Sequence, residues 1–356
     1  MMARIHMERS TAKIYGVTIT KLPASMIEIK AAIPRAEFDN TRSEAIRHLG
    51  ADVHLPGFRK GHVPEKMLEQ KLGEAALLEE MAEIAIGRAY PAILAQEKLD
   101  VLGRPTVTIQ KIARGNPLEF TLTSAILPEI VLPDYKKLAA KEMRNKEAVQ
   151  VSDEDVAKTI EQIRRMRLAN KAQEEGKEFD EKAELPALDD AEVKTLGEFS
   201  GAEDLKIKLK ENILTEKTRE AKDKKRVQLM EAIVSDAQIE LPEIIVEQEL
   251  ARMEDEFAND IKRMEMTFDT YLKTIQKSRE EMIKEWRPDA EKRAKVQLIT
   301  AKIAEVEHIV PEKEALEQET ALLRQHYPDA PEERIDGFVH MILTNQKVFE
   351  FLESQE

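Results

Sequence analysis

The chain has 356 residues and a formal net charge of −14, with 35% charged and only 4% aromatic side chains. This length allows two or three domains, and the many charged residues predict a large solvated surface. Because the chain has no cysteine, disulfides and thiolate metal sites are excluded.

The charge is divided unevenly along the chain. Residues 1–145 contain 21 Lys and Arg against 18 Asp and Glu, whereas residues 146–356 contain 34 against 51. A mildly basic part before a strongly acidic part predicts different partners for the two, and the basic part suits a polyanion. No apolar run reaches the ~20 residues of a membrane span. Because residues 1–22 also lack the apolar run of a signal peptide, we expect a cytoplasmic protein.

The first regular pattern is an alternation of apolar and polar residues. The apolar residues of 26–33 fall on one face, which predicts a half-buried strand. A similar alternation over residues 15–19 predicts a strand just before it, with a turn at residues 22–25. Pro34 then begins a predicted helix that runs as one element to a loop at residues 57–64.

Two helices and two strands are predicted after this loop. The helices extend from Pro64 to Leu72 and from Glu74 to Lys98, since proline suits the first turn of a helix. Residues 106–112 and 118–127 alternate as strands, and Arg114-Gly115-Asn116 between them indicates a hairpin turn. The N-terminal part is therefore predicted to be α+β, with antiparallel strands and two or three helices packed on one side.

The loop between the first helices is the most informative stretch, Gly57-Phe58-Arg59-Lys60-Gly61-His62-Val63-Pro64. Together with Ala89-Tyr90-Pro91 and Leu132-Pro133-Asp134-Tyr135-Lys136, it resembles the ribosome-binding domain of trigger factor, a family of bacterial chaperones. In that family the loop docks on a ribosomal protein and nearby ribosomal RNA at the peptide exit tunnel. The resemblance implies ribosome-binding residues at Gly57, Phe58, Arg59, Lys60, Gly61 and Pro64.

The residue types of the loop fit this role. Arg59 and Lys60 can pair with phosphates or carboxylates, and Phe58 can fill an apolar slot as an anchor. The flanking glycines allow a tight turn, and His62 stands where the family carries a cation. The alternative is a solvated turn with Phe58 folded back onto the core.

The middle of the chain departs from the family. Ser152 begins a predicted helix with an acidic first turn, and residues 171–178 form a charged linker. Residues 185–197 resemble the point where trigger factors leave a prolyl-isomerase domain of the FK506-binding type. Only residues 167–183 separate the two landmarks, without an alternating strand set or an aromatic cluster to hold a proline ring. We expect this domain to be absent, so the isomerase activity is not carried over.

Residues from 202 onwards are predicted to form helices with breaks. A long helix covers residues 202–236, another begins at Leu241-Pro242-Glu243, and Ser278 to Glu281 form a capping box. Further helices follow Pro311 and Pro331. Residues 241–246 resemble the family's entry into its first arm, so we expect an elongated all-α body with helical arms.

Methionine is flexible and suits surfaces that accept many partners. This property and the helical positions give candidate client-binding residues at Met253, Phe257, Met264, Met282, Phe338 and Met341. The alternative is that these side chains fill the core between the arms.

No motif for chemistry is evident. The chain has no Gly-rich phosphate loop, and its seven histidines show no metal-ligand spacing, so we expect no catalytic residue, cofactor or metal. The favoured function is an ATP-independent chaperone that docks at the ribosomal exit tunnel and holds nascent or unfolded polypeptides. We expect a possible homodimer off the ribosome, and neither DNA nor a membrane as a partner. The predicted domains are 1–145 (ribosome binding), 146–195 (connecting helix and linker) and 196–356 (helical chaperone domain).

The alternative function is a peptidyl-prolyl cis-trans isomerase, which a proline-limited refolding assay would reveal. A nucleic-acid-binding or coiled-coil scaffold is disfavoured by the overall acidity and the lack of sustained heptads. A periplasmic holdase is disfavoured by the missing signal peptide.

Overall fold

The structure, a computed structural model, describes residues 15–51, 65–144, 149–174, 176, 185, 193 and 199–355. The chain divides into two compact units, each assembled from segments distant in sequence. The first unit comprises residues 1–132, 237–308 and 312–342, and the second comprises residues 133–236, 309–311 and 343–356. In the described ranges no helix is long and apolar enough to cross a membrane. The predicted linear division at residues 145 and 195 follows sequence order and stays a prediction.

The first unit begins with a four-stranded antiparallel sheet. Its strands are β1 (Tyr15–Leu22), β2 (Met26–Ile33), β3 (Val101–Lys111) and β4 (Leu118–Ile126), in the order β1-β2-β4-β3. β3 begins earlier than the predicted start at Thr106. The reason is a register shift between Leu102 and Thr106, because an irregularity of this kind interrupts the alternation by which a strand is detected in sequence.

Four helices accompany the sheet: α1 (Arg35–Asp39), α2 (Arg42–Gly50), α3 (Glu65–Leu72) and α4 (Glu74–Glu97). Their apolar residues share one buried cluster with β2 and β4. The prediction of a single helix after Pro34 is wrong, since α1 and α2 are separate. The buried Thr41 between them has its hydroxyl 2.8 Å from the Phe38 carbonyl and 3.2 Å from the Met81 carbonyl.

The second unit contains α5 (Tyr135–Arg144), α6 (Asp153–Glu174) and α7 (Ala202–Asp236). The Ser152 hydroxyl accepts the Asp155 amide at 3.1 Å, which confirms the predicted start of α6. A hydrogen bond from Lys217 of α7 lowers the pKa of Asp155 and joins the two helices at 2.7 Å. The sequence pattern did not predict α5.

The remaining helices are α8 (Glu243–Arg263), α9 (Phe268–Ile275), α10 (Arg279–Val306), α11 (Lys313–His326) and α12 (Glu332–Glu353). The predicted capping box is confirmed, with the Ser278 hydroxyl accepting the Glu281 amide at 3.2 Å. The predicted fold class is also confirmed: an α+β N-terminal part precedes an all-α C-terminal part.

A junction within the first unit joins the sheet to the start of α8. Val131 and Gln238 exchange two backbone hydrogen bonds, of 3.0 and 3.1 Å. The Ser25 hydroxyl donates to the Glu240 carbonyl at 2.8 Å, and the Glu240 carboxylate accepts the Ala24 amide at 2.9 Å. Residues 238–240 are therefore fixed to the end of the sheet at the β1–β2 turn.

Candidate functional site

The predicted ribosome-binding residues lie outside the described residues: Gly57, Phe58, Arg59, Lys60, Gly61 and Pro64. The structure does describe the helices on both sides of them. α2 ends at Gly50, and a Cβ built there would lie 2.6 Å from Leu68 Cδ1 of α3. Because only a glycine allows this approach without a shift, α2 and α3 pack closely on the two sides of the predicted loop.

An aromatic cluster joins α8, α9 and α10. The Phe257 ring makes edge-to-face contacts with Phe268, Tyr271 and Trp286, at centroid distances of 6.2, 5.2 and 5.1 Å. Such a pair stabilises by about 0.5–1.5 kcal/mol beyond the area that it buries. Phe257, predicted to bind clients, is therefore half-buried and holds three helices together.

A small apolar core lies between α8 and α10. Val246, Leu250 and Ala290 are buried, and the half-buried Met253 and Trp286 pack against them. Met282 of α10 is only 4% exposed. This burial does not support the predicted contact of Met282 with clients. Periodicity identified an apolar face of α10, but another part of the unit covers that face.

Ion pairs also bind α8 to α10. The buried Glu249 carboxylate pairs with Arg252 of its own helix and lies 3.9 Å from Arg293 of α10. Arg293 also pairs with Glu256 at 3.0 Å. A buried carboxylate without such partners would be strongly destabilising, and Arg293 links α8 to α10 through both carboxylates.

By contrast, α11 and α12 leave large apolar side chains exposed. Among its described residues α11 has none that is buried. On α12, Phe338 and Ile342 lie one turn apart and are 48% and 43% exposed, whereas Val339 is buried. We define the α11–α12 apolar set as the exposed large apolar residues of this region, Leu322, Tyr327, Phe338 and Ile342.

Polar contacts fix the relation of α11 to α12. Arg324 near the end of α11 donates to Glu332 at 2.5 Å and to Asp336 at 3.2 Å, both on α12. The apolar set is thus displayed by a joined helix pair. The sequence prediction named Phe338 but not Leu322, Tyr327 or Ile342, because periodicity does not show whether an apolar side chain is covered.

Two other predicted client-binding residues differ in exposure. Met264, just after α8, is 69% exposed. Met341 is half-buried, with its sulfur 3.5 Å from Gln297 Nε2 of α10. In the described part of the chain, no group of three or more His, Asp or Glu is placed to hold a metal ion.

Comparison with known proteins identifies the family. A family model for the bacterial trigger factor protein matches residues 15–163, and a model for the trigger factor C-terminus matches residues 201–353. The chain belongs to the bacterial trigger factor family. The predicted function of a ribosome-associated chaperone is thereby confirmed.

Similar trigger factors are found in several bacteria. The trigger factor of Halalkalibacterium halodurans is 25% identical over 85% of this chain and 88% of its own length. That of Halothermothrix orenii is 23% identical over 93% of this chain and 97% of its own. A solved structure of a trigger factor chaperone, described for promiscuous substrate recognition in folding and assembly, covers 95% of this chain with a TM-score of 0.53. At 18% identity, and with 99% of that chain covered, this likeness supports the shared fold.

The two trigger factor segments lie close together in this chain. Only residues 164–200 separate them. The alignment with the H. orenii trigger factor runs over 421 positions, more than the 356 residues present here, so that relative has residues which this chain lacks. Both observations agree with a chain that lacks the isomerase domain.

Proposed function

We propose that this chaperone docks at the ribosomal exit tunnel through Phe58, Arg59 and Lys60 and holds nascent or unfolded chains without a nucleotide. The observation that supports client holding is the α11–α12 apolar set. Exposed apolar side chains that lie side by side mark interaction sites in soluble proteins, and Phe338 and Ile342 lie one turn apart on α12. A joined helix pair that exposes four large apolar residues suits apolar segments of an unfolded chain.

The strength of each contact suits repeated binding and release. Full burial of a Leu, Ile or Phe side chain stabilises by about 1.5–3 kcal/mol. Phe338 and Ile342 are about half exposed, so a client gains only part of that energy at each residue. Several such contacts retain an unfolded segment, yet none is strong enough to require nucleotide hydrolysis for release.

Exposure favours some of the proposed client-binding residues over others. Met264 and Phe338 are exposed enough to meet a client directly, and the half-buried Met253, Phe257 and Met341 could contribute only an edge. We assign Met282 to the core of the helices.

The docking half of the proposal depends on the basic loop at residues 57–64, in a chain that is acidic overall. Arg59 and Lys60 would pair with ribosomal RNA or with a carboxylate of an exit-tunnel protein, and Phe58 would fill an apolar slot. The net negative charge of residues 146–356 would keep the helical part away from RNA. The loop at residues 57–64 would then set the orientation of the protein on the ribosome. Residence in the cytoplasm and a homodimer off the ribosome complete the proposal.

Ribosome co-sedimentation tests docking. We expect the F58A/R59A/K60A variant to lose at least tenfold in ribosome affinity while its circular dichroism spectrum is unchanged. The matched control is R104A/V107A/K111A, which removes one exposed apolar residue and two cations from β3. Equal pelleting of wild type and loop variant, or equal losses in both variants, would contradict docking through the loop.

Suppression of aggregation of an unfolded client tests holding. We expect F338S/I342S to need several-fold more chaperone for the same suppression, because the client loses two apolar contacts. The control V107S/I109S alters two exposed apolar residues of β3 and should behave as wild type. If F338S/I342S protects the client fully, the α11–α12 apolar set does not hold it.

A further inference from the structure

Helix α5 displays a cluster of positive charge. Lys136, Lys137, Lys141 and Arg144 are all exposed along its length. They line a cavity of about 1030 Å³ whose other charged lining residues are Asp134 and Asp236. Four cations against two carboxylates leave this cavity positive, although the chain as a whole carries a net charge of −14.

Several cations elsewhere in the second unit are paired with nearby carboxylates. Lys206 pairs with Glu203, Lys208 with Asp204, Lys158 with Glu154, Lys217 with Asp155, and Lys222 and Arg226 with Glu353. In the part of the chain that the structure describes, Lys137, Lys141 and Arg144 make no ion pair. Lys136 is engaged, with its ammonium 5.4 Å from the centre of the Phe351 ring.

Helix stabilisation explains only part of this pattern. Lys141 and Arg144 lie in the last turn of α5, where cations interact favourably with the helix dipole. Lys137 lies in the first turn, where that dipole disfavours a cation. All three share one face, because their spacing of four and three residues brings them into line.

We propose that this face of α5 binds the backbone phosphates of RNA, as a second contact with the ribosome besides the loop at residues 57–64. Lys137 and Arg144 are about 10 Å apart along the helix axis. One strand of a nucleic acid carries a phosphate about every 3.4 Å of its axis, so three cations match about three phosphates. The Arg144 guanidinium can bind a phosphate through two parallel hydrogen bonds. The choice of RNA rests on the proposed ribosome association.

The test measures binding of the full chain to a fluorescent single-stranded oligouridine by anisotropy, between 50 and 200 mM salt. All proteins carry F58A/R59A/K60A, so that the loop contributes nothing. Each phosphate contact on a single strand changes the slope of log affinity against log salt by about 0.7. K137Q/K141Q/R144Q should therefore reduce the slope by about two. Raising the salt over this range should then weaken RNA binding by a factor that is about twentyfold smaller for this variant than for its parent.

Two further variants separate local from general charge effects. K158Q/K206Q/K208Q removes the same charge at exposed, ion-paired lysines of the second unit and should keep the parent slope. K137R/K141R/R144K preserves the charges and should also keep it. Equal slopes for the parent and the α5 variant, or an equal loss in the ion-paired control, would overturn the proposal.

A polyglutamate peptide provides the competing occupant. If it displaces the RNA at equal concentration of charge, α5 recognises acidic protein and the RNA assignment is wrong. Because free RNA is used in the loop-variant background, failure of docking through residues 57–64 leaves this result unaffected. Conversely, loss of the α5 effect leaves the co-sedimentation result of the loop variant intact.

Discussion

The sheet and the last helices of the chain use apolar residues in opposite ways. The sheet with α1–α4 shares one large buried cluster that includes Phe38, Phe120 and Leu122, whereas the cluster between α8 and α10 has only three buried members. α11 and α12 then leave four large apolar side chains in solvent. The sheet part is therefore packed into a fixed shape, and the helical part leaves apolar surface exposed, as the proposed holding of clients requires.

A pair of matched phenylalanine variants tests this comparison with the largest expected effect. Phe120 is 1% exposed in the core, and Phe338 is 48% exposed on α12. Truncation of a buried Phe to Ala costs about 3–5 kcal/mol of unfolding free energy, so F120A should strongly lower the urea midpoint of the first unit. F338A should cost under about 1 kcal/mol. Similar costs for the two variants would show that the contrast in packing is wrong.

The aromatic cluster predicts an intermediate effect. Phe257 loses three edge-to-face contacts in F257L, which should destabilise the contact of α8 with α9 and α10 by about 2 kcal/mol. Faster amide hydrogen exchange in residues 268–275 would report this loss. F268L removes only one of these contacts and should have about a third of the effect. If the amides of residues 268–275 exchange equally fast in the two variants, Phe257 is not the centre of the cluster.

The smallest expected effect concerns pH. Burial alone would raise the pKa of Glu353, but hydrogen bonds from Arg226 and Lys222 outweigh it and lower the pKa from 4.5. A carboxyl with a lowered folded pKa stabilises the fold above its unfolded pKa, and this stabilisation is lost as pH falls through the folded value. The second unit should therefore lose stability below about pH 4.5, as followed by thermal unfolding. E353Q should show a smaller loss over the same pH window, and an unchanged profile would exclude Glu353 as a cause.

Local patterns explain which elements were predictable from the sequence. The capping box at Ser278 and the alternation of residues 26–33 depend on neighbours in the chain, and both are found in the structure. The Thr41 hydroxyl at the break between α1 and α2 bonds a carbonyl of α4, forty residues away, as well as that of Phe38, so a local pattern contained only part of the cause. α5 begins within Leu132-Pro133-Asp134-Tyr135-Lys136, a stretch that indicated only the family resemblance and no helix.

The candidate site was less predictable, because exposure is a property of packing. Met282 and Phe338 both occupy apolar helical positions, yet one is 4% and the other 48% exposed. Periodicity shows which side of a helix is apolar but not whether another element covers it. The family resemblance predicted the loop at residues 57–64 as the docking site. The uneven charge indicated that the basic part of the chain, which contains α5, suits a polyanion.

The junction at the end of the sheet has a consequence for the absence of the isomerase domain from this chain. Val131, which follows β4, and Gln238, which precedes α8, are hydrogen-bonded to each other in an isolated bridge. The residues between them form a closed loop, and the entropy cost of closing a loop grows only with the logarithm of its length. Doubling the length of such a loop costs about 0.6 kcal/mol of closure free energy. A whole domain can therefore be inserted in it or deleted from it while the sheet and the start of α8 remain joined.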